Sequence, residues 1–264
     1  MVLHRPAMNL SASDRDPALQ QALPAPPDLQ GSAQEALFLD FDGTLVDIAS
    51  HPDAIHVAAH LPDLLIGLSR MLDGRLALVS GRALADLDRF LGPLDIAMAG
   101  SHGGEFREAG ASHAHPLADP LPAHVLTSLN AIAARLGGLL VEAKPYSAAI
   151  HYRGQPEAEA ALRARTADLA QNAGLAIKRG KMVVELVMPG ADKGSAVTRF
   201  MEMPQFDGAR PIFVGDDITD EDAFKTVLNY EGGGILVGPM RQTAAQWRLD
   251  GVAQVHHWLK AALA

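Results

Sequence analysis

From residue 36 onward the chain alternates short, continuous apolar runs with longer stretches whose apolar residues recur at helical spacing. The runs at 36–39, 76–79, 96–99, 211–214 and 234–237 lack a polar side, as expected of strands buried on both faces. The stretches 62–72, 83–91, 193–203 and 219–228 read as helices with one apolar stripe. Strand and helix in succession predict a parallel sheet covered by helices on both sides.

The middle of the chain has a different rhythm. It predicts a helix over 123–136, strands over 139–143 and 147–153, a helix over 157–172, and two further strands around a turn at Arg179-Gly180-Lys181. Two helices and four short strands suggest an open-faced α+β layer inserted into the α/β core. The expected division is a catalytic core from 35–108 and 190–264, with an α+β cap over 109–189. Residues 1–34 hold Pro6, Pro17, Pro24, Pro26 and Pro27 among few large apolar side chains, so a flexible N-terminal tail is expected there.

Composition narrows the partners. The 264 residues carry a formal charge of −9, which repels a phosphate-rich polymer, and they include no cysteine for a disulfide or thiolate metal site. No run reaches the roughly 18 apolar residues of a membrane span, and the first residues lack the apolar block of a secretory signal. The expectation is a cytoplasmic protein, monomeric or weakly homodimeric, acting on a small molecule without nucleic acid or membrane.

The candidate chemistry lies where ligands bind in open parallel sheets, beyond the C-terminal ends of the strands. Asp40 and Asp42 follow the first run, Ser80 the second, and Asp216 and Asp217 the fourth, with Asp220 one turn further on. Two unit charges 4 Å apart repel by about 4 kcal/mol at an effective dielectric near 20, so such a cluster needs a cation. Oxygen ligands alone favour Mg²⁺, and Lys193 at a helix start adds a fixed positive charge. Asp40 is placed to attack a phosphoryl group in line, and Asp42 to protonate the leaving oxygen and then activate water. Gly43 allows close backbone approach and Thr44 offers a hydroxyl.

Four segments resemble, in order, the motifs of the haloacid-dehalogenase superfamily of phosphatases: Asp40-Phe41-Asp42-Gly43-Thr44, Ser80 in Val79-Ser80-Gly81-Arg82, Lys193-Gly194, and Gly215-Asp216-Asp217-Ile218-Thr219-Asp220. The resemblance implies an Asp40 nucleophile, an Asp42 acid/base, and phosphate held by Ser80 and Lys193. It also implies Mg²⁺ on Asp40, the Asp42 carbonyl and Asp216, supported by Asp217 and Asp220. Finer segments are similar to the trehalose-6-phosphate phosphatase branch: Gly100-Ser101-His102-Gly103-Gly104-Glu105, Ala149-Ile150-His151-Tyr152-Arg153, and Gly180-Lys181-Met182-Val183-Val184-Glu185-Leu186. That branch implies hydrolysis of trehalose 6-phosphate. Another sugar phosphate, or an inactive sugar-phosphate-binding domain, stays open as the alternative.

Alternation along the middle strands places Glu142 with Lys144, His151 with Arg153, and Lys181 with Glu185 on shared polar faces. Such a face looks at solvent or down into a cleft. The candidate substrate-binding residues are Lys144, His151, Arg153, Lys181 and Glu185 from these faces, His102 and Glu105 just past the run at 96–99, and Thr44, Gly81, Arg82 and Gly103 in the segments that carry the resemblance. His113, His115, His256 and His257 show no partner spacing and are expected at the surface.

Overall fold

The computed structural model describes residues 22–31, 34–116, 119–144, 146–189 and 192–264. The expected tail therefore lies, over residues 1–21, outside the described residues. Strands β1 (Glu35–Leu39), β2 (Leu76–Val79), β3 (Ala97–Gly100), β10 (Arg210–Gly215), β11 (Gly233–Val237) and β12 (Trp247–Leu249) pair in parallel. The antiparallel strands β4 (Glu105–Arg107) and β5 (His115–Pro116) complete an eight-stranded sheet in the order β12-β11-β10-β1-β2-β3-β4-β5.

The continuous apolar runs have a direct cause, since both faces of this sheet are covered. Leu37, Leu39, Leu76, Leu78 and Met98 point to one side, against helices α1 (Leu61–Met71), α2 (Leu84–Leu91) and α7 (Val252–Ala261). Ala36, Phe38, Ala77, Val79 and Phe213 point to the other, against α5 (Lys193–Met201) and α6 (Glu221–Leu228). Period-2 alternation thus sends neighbouring residues of one run into two separate cores. On the second side Phe38, Phe106, Phe200 and Phe206 form a ring cluster with centroids 4.5 to 5.7 Å apart.

The inserted layer matches its expected composition. Strands β6 (Leu140–Ala143), β7 (Ser147–His151), β8 (Ala176–Gly180) and β9 (Val183–Val187) form an antiparallel sheet in the order β6-β7-β9-β8. Helices α3 (Ala123–Arg135) and α4 (Glu159–Ala173) cover one face, where Val125, Leu129 and Leu162 meet Ile150, Val184 and Leu186. The other face is left for the cleft.

Two expectations change. Residues 109–116, assigned to the cap, run into β5 at the edge of the first sheet; a two-residue strand of His115 and Pro116 pairs through backbone and gives no apolar signal. Residues 22–31 are not a loose tail either. Leu29 is buried in the first core, Trp258 Nε1 donates to Pro27 O at 2.8 Å, and Arg248 N donates to Pro24 O at 2.9 Å. Proline has no donor, but its carbonyl still accepts, and here two prolines tie the segment to α7 and to β12 at the sheet edge. Among the described residues no helix is long and apolar enough to cross a membrane.

Leu29→Ala should lower unfolding stability by about 2–5 kcal/mol, the usual range for a buried leucine, measured by urea denaturation. A change below about 0.5 kcal/mol, typical of surface positions, would return residues 22–31 to the status of a tail.

Candidate active site

Because β1 and β10 are parallel neighbours, with Leu39 opposite Val214, their C-terminal ends deliver Asp40 and Asp216 side by side. Asp40 N donates to Val214 O at 2.9 Å, which anchors the start of the loop after β1. The short helical turn Ile218–Asp220 then brings Asp220 back beneath them. Among the described residues Asp40, Asp216 and Asp220 each offer an oxygen, and these lie within 4.8 Å of one another. Lys193, the first residue of α5, places its Nζ 2.7 Å from Asp40 Oδ1 and 2.6 Å from Asp220 Oδ1. From the second sheet the Lys181 ammonium reaches Asp216 Oδ2.

The electrostatics of this group follow from burial. Desolvation pushes Asp40 well above the usual carboxylate range despite Lys193, with Asp220 and Asp216 adding to the rise. Asp216 is pushed up to about 6 by burial and by Asp220, against the pull of Lys181. Burial would lower Lys193, but Asp220 and Asp40 raise it above its usual value, so it stays charged. Even beside two ammonium groups, Asp40 and Asp216 are thus held toward their protonated forms. A hard divalent cation fits this oxygen-only set, and Gly43, at φ 79°, lets the loop approach: a Cβ there would fall on the Asp216 carboxylate.

Not every predicted ligand joins the group. The carboxylate of Asp42, whose carbonyl and not its side chain is the expected ligand, is gripped by Arg82, whose Nε and Nη2 each lie 2.7 Å from one of its oxygens. Arg82 also donates to Pro52 O at 2.9 Å, so it is not free for a substrate as expected; the sequence does not reveal where a long guanidinium points. Asp217 lies outside the three-carboxylate group, and its backbone N donates to Asp220 Oδ2 at 2.8 Å. Thr44 is buried, with its hydroxyl 3.4 Å from Asp40 Oδ2. Ser80 is also buried and accepts from Arg82 N at 3.1 Å.

The second sheet forms the roof. Its register sets Glu142 opposite Ala149, Ala149 opposite Glu185, and Glu185 opposite Lys178, one row across the cleft-facing side. The row beside it holds His151, Val183 and Gly180. Together with Gly81, His102, Lys144, Arg153 and Lys181, these residues line one pocket with Asp40, Asp42, Lys193, Asp216 and Asp217. Glu185 is the centre of the contact between roof and floor. It accepts from His102 Nε2 at 2.6 Å, from Ser147 Oγ at 2.6 Å and from Lys144 Nζ at 3.0 Å, while Lys144 also donates to Gly81 O at 2.8 Å. His151 Nε2 donates to Glu142 Oε2 at 2.7 Å, and Arg153 reaches Ala49 O. Burial pushes the His102 imidazole down against the pull of Glu185, and its Nε2 carries the proton donated to that carboxylate. Burial would raise Glu185, but the opposing pull of His102, Lys144 and Ser147 holds it well below its usual value.

Three predicted substrate contacts, Thr44, Glu105 and Gly103, do not line the pocket. Glu105 turns from the cleft to accept from Ser101 Oγ at 2.7 Å. Gly103, at φ 99°, packs where a Cβ would come 2.8 Å from Asp192 O. Both brace the turn that presents His102, itself at φ 58°. Sequence reasoning missed Lys178, Thr219 and the segment from Ile48 to Pro52 that forms a side wall. Lys178 was legible by alternation from Gly180, whereas the wall carries no periodicity.

Glu185 gives a pH dependence with a definite sign. Its folded-state value lies below the ordinary 4.5, so its stabilising contribution is complete above that value and is lost as pH falls toward the folded one. Urea unfolding of wild type and Glu185→Gln should differ clearly at pH 7, with the gap narrowing at about pH 4. Equal gaps at both would contradict the assigned charge.

With this geometry in place, similarity becomes informative. A family model described as trehalose-phosphatase matches residues 38–253. The trehalose-6-phosphate phosphatase of Escherichia coli (strain K12) is 38% identical over 231 residues, 87% of this chain and 86% of that protein. A probable trehalose-phosphate phosphatase of Sinorhizobium fredii is 42% identical over 207 residues, 77% and 78% of the two chains. The solved C-terminal domain of a C. albicans trehalose-6-phosphate phosphatase superposes with a TM-score of 0.81 over 91% of this chain and 98% of that one, and at 22% identity it speaks for the fold. The four ordered motifs, the sheet that gathers them and the match across residues 38–253 have one reading: the chain belongs to the trehalose-phosphatase family.

Proposed function

We propose that this protein hydrolyses trehalose 6-phosphate to trehalose and inorganic phosphate through an aspartyl phosphate on Asp40, with Mg²⁺ as cofactor. The observation that supports it best is the shared pocket: Asp40 and Lys193 line the same cleft as Glu142, Lys144, Lys181 and Glu185 of the roof. A phosphoryl group and a polyhydroxylated body are thereby given separate ends of one site. The similarity to proteins named for this activity supports the substrate.

In this reading an Asp40 carboxylate oxygen attacks phosphorus and the bond from phosphorus to the sugar oxygen breaks. The departing oxygen takes a proton from Asp42. Water then attacks the aspartyl phosphate, Asp42 accepts its proton, and phosphate leaves as the Asp40 carboxylate is restored. Lys193 stays charged throughout and holds Asp40 in place. Asp40 and Asp216 would hold Mg²⁺, with Asp220 behind them; when bound, the ion neutralises charge on the phosphate oxygens. Asp42 can serve as acid only after leaving its paired contact with Arg82, and the arrival of substrate oxygens beside the guanidinium would supply the exchange.

The roof residues read the sugar. Glu142, Lys144 and Glu185 offer both acceptors and donors, and Ala149 between the two glutamates leaves room beneath the sheet. Neither nucleic acid nor membrane has a part in this reading, and the formal charge of −9 disfavours the former.

The test is phosphate release from trehalose 6-phosphate, sucrose 6-phosphate and glucose 6-phosphate, each with Mg²⁺ and with chelator. Turnover should be largest for the first, stop on chelation and return with Mg²⁺. Comparable turnover of all three would overturn the substrate, and full activity under chelation the metal. Asp40→Asn should fall to background with the fold retained by circular dichroism; near-normal turnover would rule out the covalent step.

A further inference from the structure

The loop after β1 carries Asp42 and Thr44, yet its hydrogen bonds close largely on themselves. Gly43 N donates to Val46 O at 2.7 Å, and Leu45 N and Val46 N donate to Phe41 O at 2.8 and 3.1 Å. Asp42 and Val46 form an isolated bridge. Such a loop keeps its shape and moves as a body, seated by Phe41, Leu45 and Val46 in the first core and by Arg82 on Asp42, and its backbone is also held from outside at both ends. One end is held where Asp40 N meets Val214 O. The other is held at Leu45, whose carbonyl accepts from His256 Nε2 at 2.8 Å.

His256 lies on α7, 211 positions further along the chain, and, though expected at the surface without a partner, is half-buried and bonded. A carbonyl only accepts, so His256 must carry its proton on Nε2. In the neutral ring Nδ1 then offers a lone pair, and His60 Nε2 stands 3.1 Å away to donate to it. The two rings meet edge to face, with centroids 5.1 Å apart and planes at 84°. His60 precedes α1, so the pair links α1, α7 and the nucleophile loop.

We propose that His256 is a positioning residue for the loop: through the Leu45 carbonyl it sets Asp42 and Thr44 against Asp40, while His60 fixes its tautomer and ring plane. Its contact point is one residue from Val46, which is bridged to Asp42. A small rotation at Leu45 is therefore passed to the acid/base. The kinetic consequence rests on the phosphatase reading; the mechanical one does not.

The test uses the full chain as wild type, His256→Leu, His256→Gln and His60→Leu, with amide hydrogen exchange over residues 41–46 read alongside steady-state phosphate release. His256→Leu should exchange faster in that segment and lose about tenfold or more in kcat, the scale expected for a misplaced catalytic group, with KM unchanged. His256→Gln, whose side-chain amide can donate to the same carbonyl, should recover both readouts, and His60→Leu should fall between. If His256→Leu matches wild type in exchange and kcat, or if the Gln and Leu variants behave alike, the proposal is overturned. Should His256→Leu fail to fold, His256→Asn, whose amide is too short to reach, takes its place against Gln. If wild type releases no phosphate, the phosphatase reading fails, and the exchange comparison still decides the positioning role.

Discussion

Lys193 is the charge that lets the rest of the site exist. Parallel pairing of β1 with β10 drives Asp40 and Asp216 together, and the turn after β10 adds Asp220, which is wholly buried. Left alone these carboxylates would take up protons or push the strand ends apart. Lys193 bridges Asp40 and Asp220 from the start of α5 with only 3% of its side chain exposed, so removing it would leave two buried acids without the cation that pairs them. The same contact has a structural consequence. Asp220 Oδ1 holds Lys193 while its Oδ2 holds Asp217 N, which ties α5 to the entry of α6. Packing between these helices and charge neutralisation at the sheet end are thus one arrangement. Gly215 is required by it, because a Cβ there would meet the Asp220 carboxylate.

How much of this is legible in sequence depends on periodicity. The strands at 36–39 and 76–79 and the helices near 62–72 and 193–203 were readable because their apolar residues face cores on known sides, and the structure moves none of their ends by more than two residues. β4, β5 and β12 left no such trace, being two or three residues long with charged or ring-bearing side chains held by backbone pairing. Helix α7 was within reach, since Val255, Trp258 and Leu259 share a stripe. The segment over 22–31 was misread for a different reason: its proline content argues against a core of its own, but a segment that lends one leucine and two carbonyls to a core built elsewhere has no need of one.

The site divides in the same way. Asp40, Asp216 and Lys193 were placed by rules that fix position, namely strand ends and helix starts, and the structure brings them together. Arg82 and Glu105 were placed by proximity alone. Long or flexible side chains choose partners in three dimensions, and these chose Asp42 and Ser101. His256 marks the limit most clearly, since its partner Leu45 O is a backbone atom 211 positions away and no spacing rule can reach it.

The roof carries one more consequence. In this cleft His102 Nδ1 and Lys178 Nζ have no hydrogen-bond partner among the described residues, but Glu185, Lys144, Glu142 and His151 are all paired within the protein. A ligand entering here must exchange its own groups for these partners one by one. Where it offers a hydroxyl in the right place, the exchange leaves every buried group satisfied. Where it lacks one, a carboxylate or ammonium is left desolvated and unpartnered, a cost of about 1–3 kcal/mol and more for a charged group. Selection in such a site works through that penalty more than through attraction. The side chain that feels it most is Glu185, held at once by roof and floor, because a sugar that takes its carboxylate from His102 also loosens the contact that keeps the two sheets together.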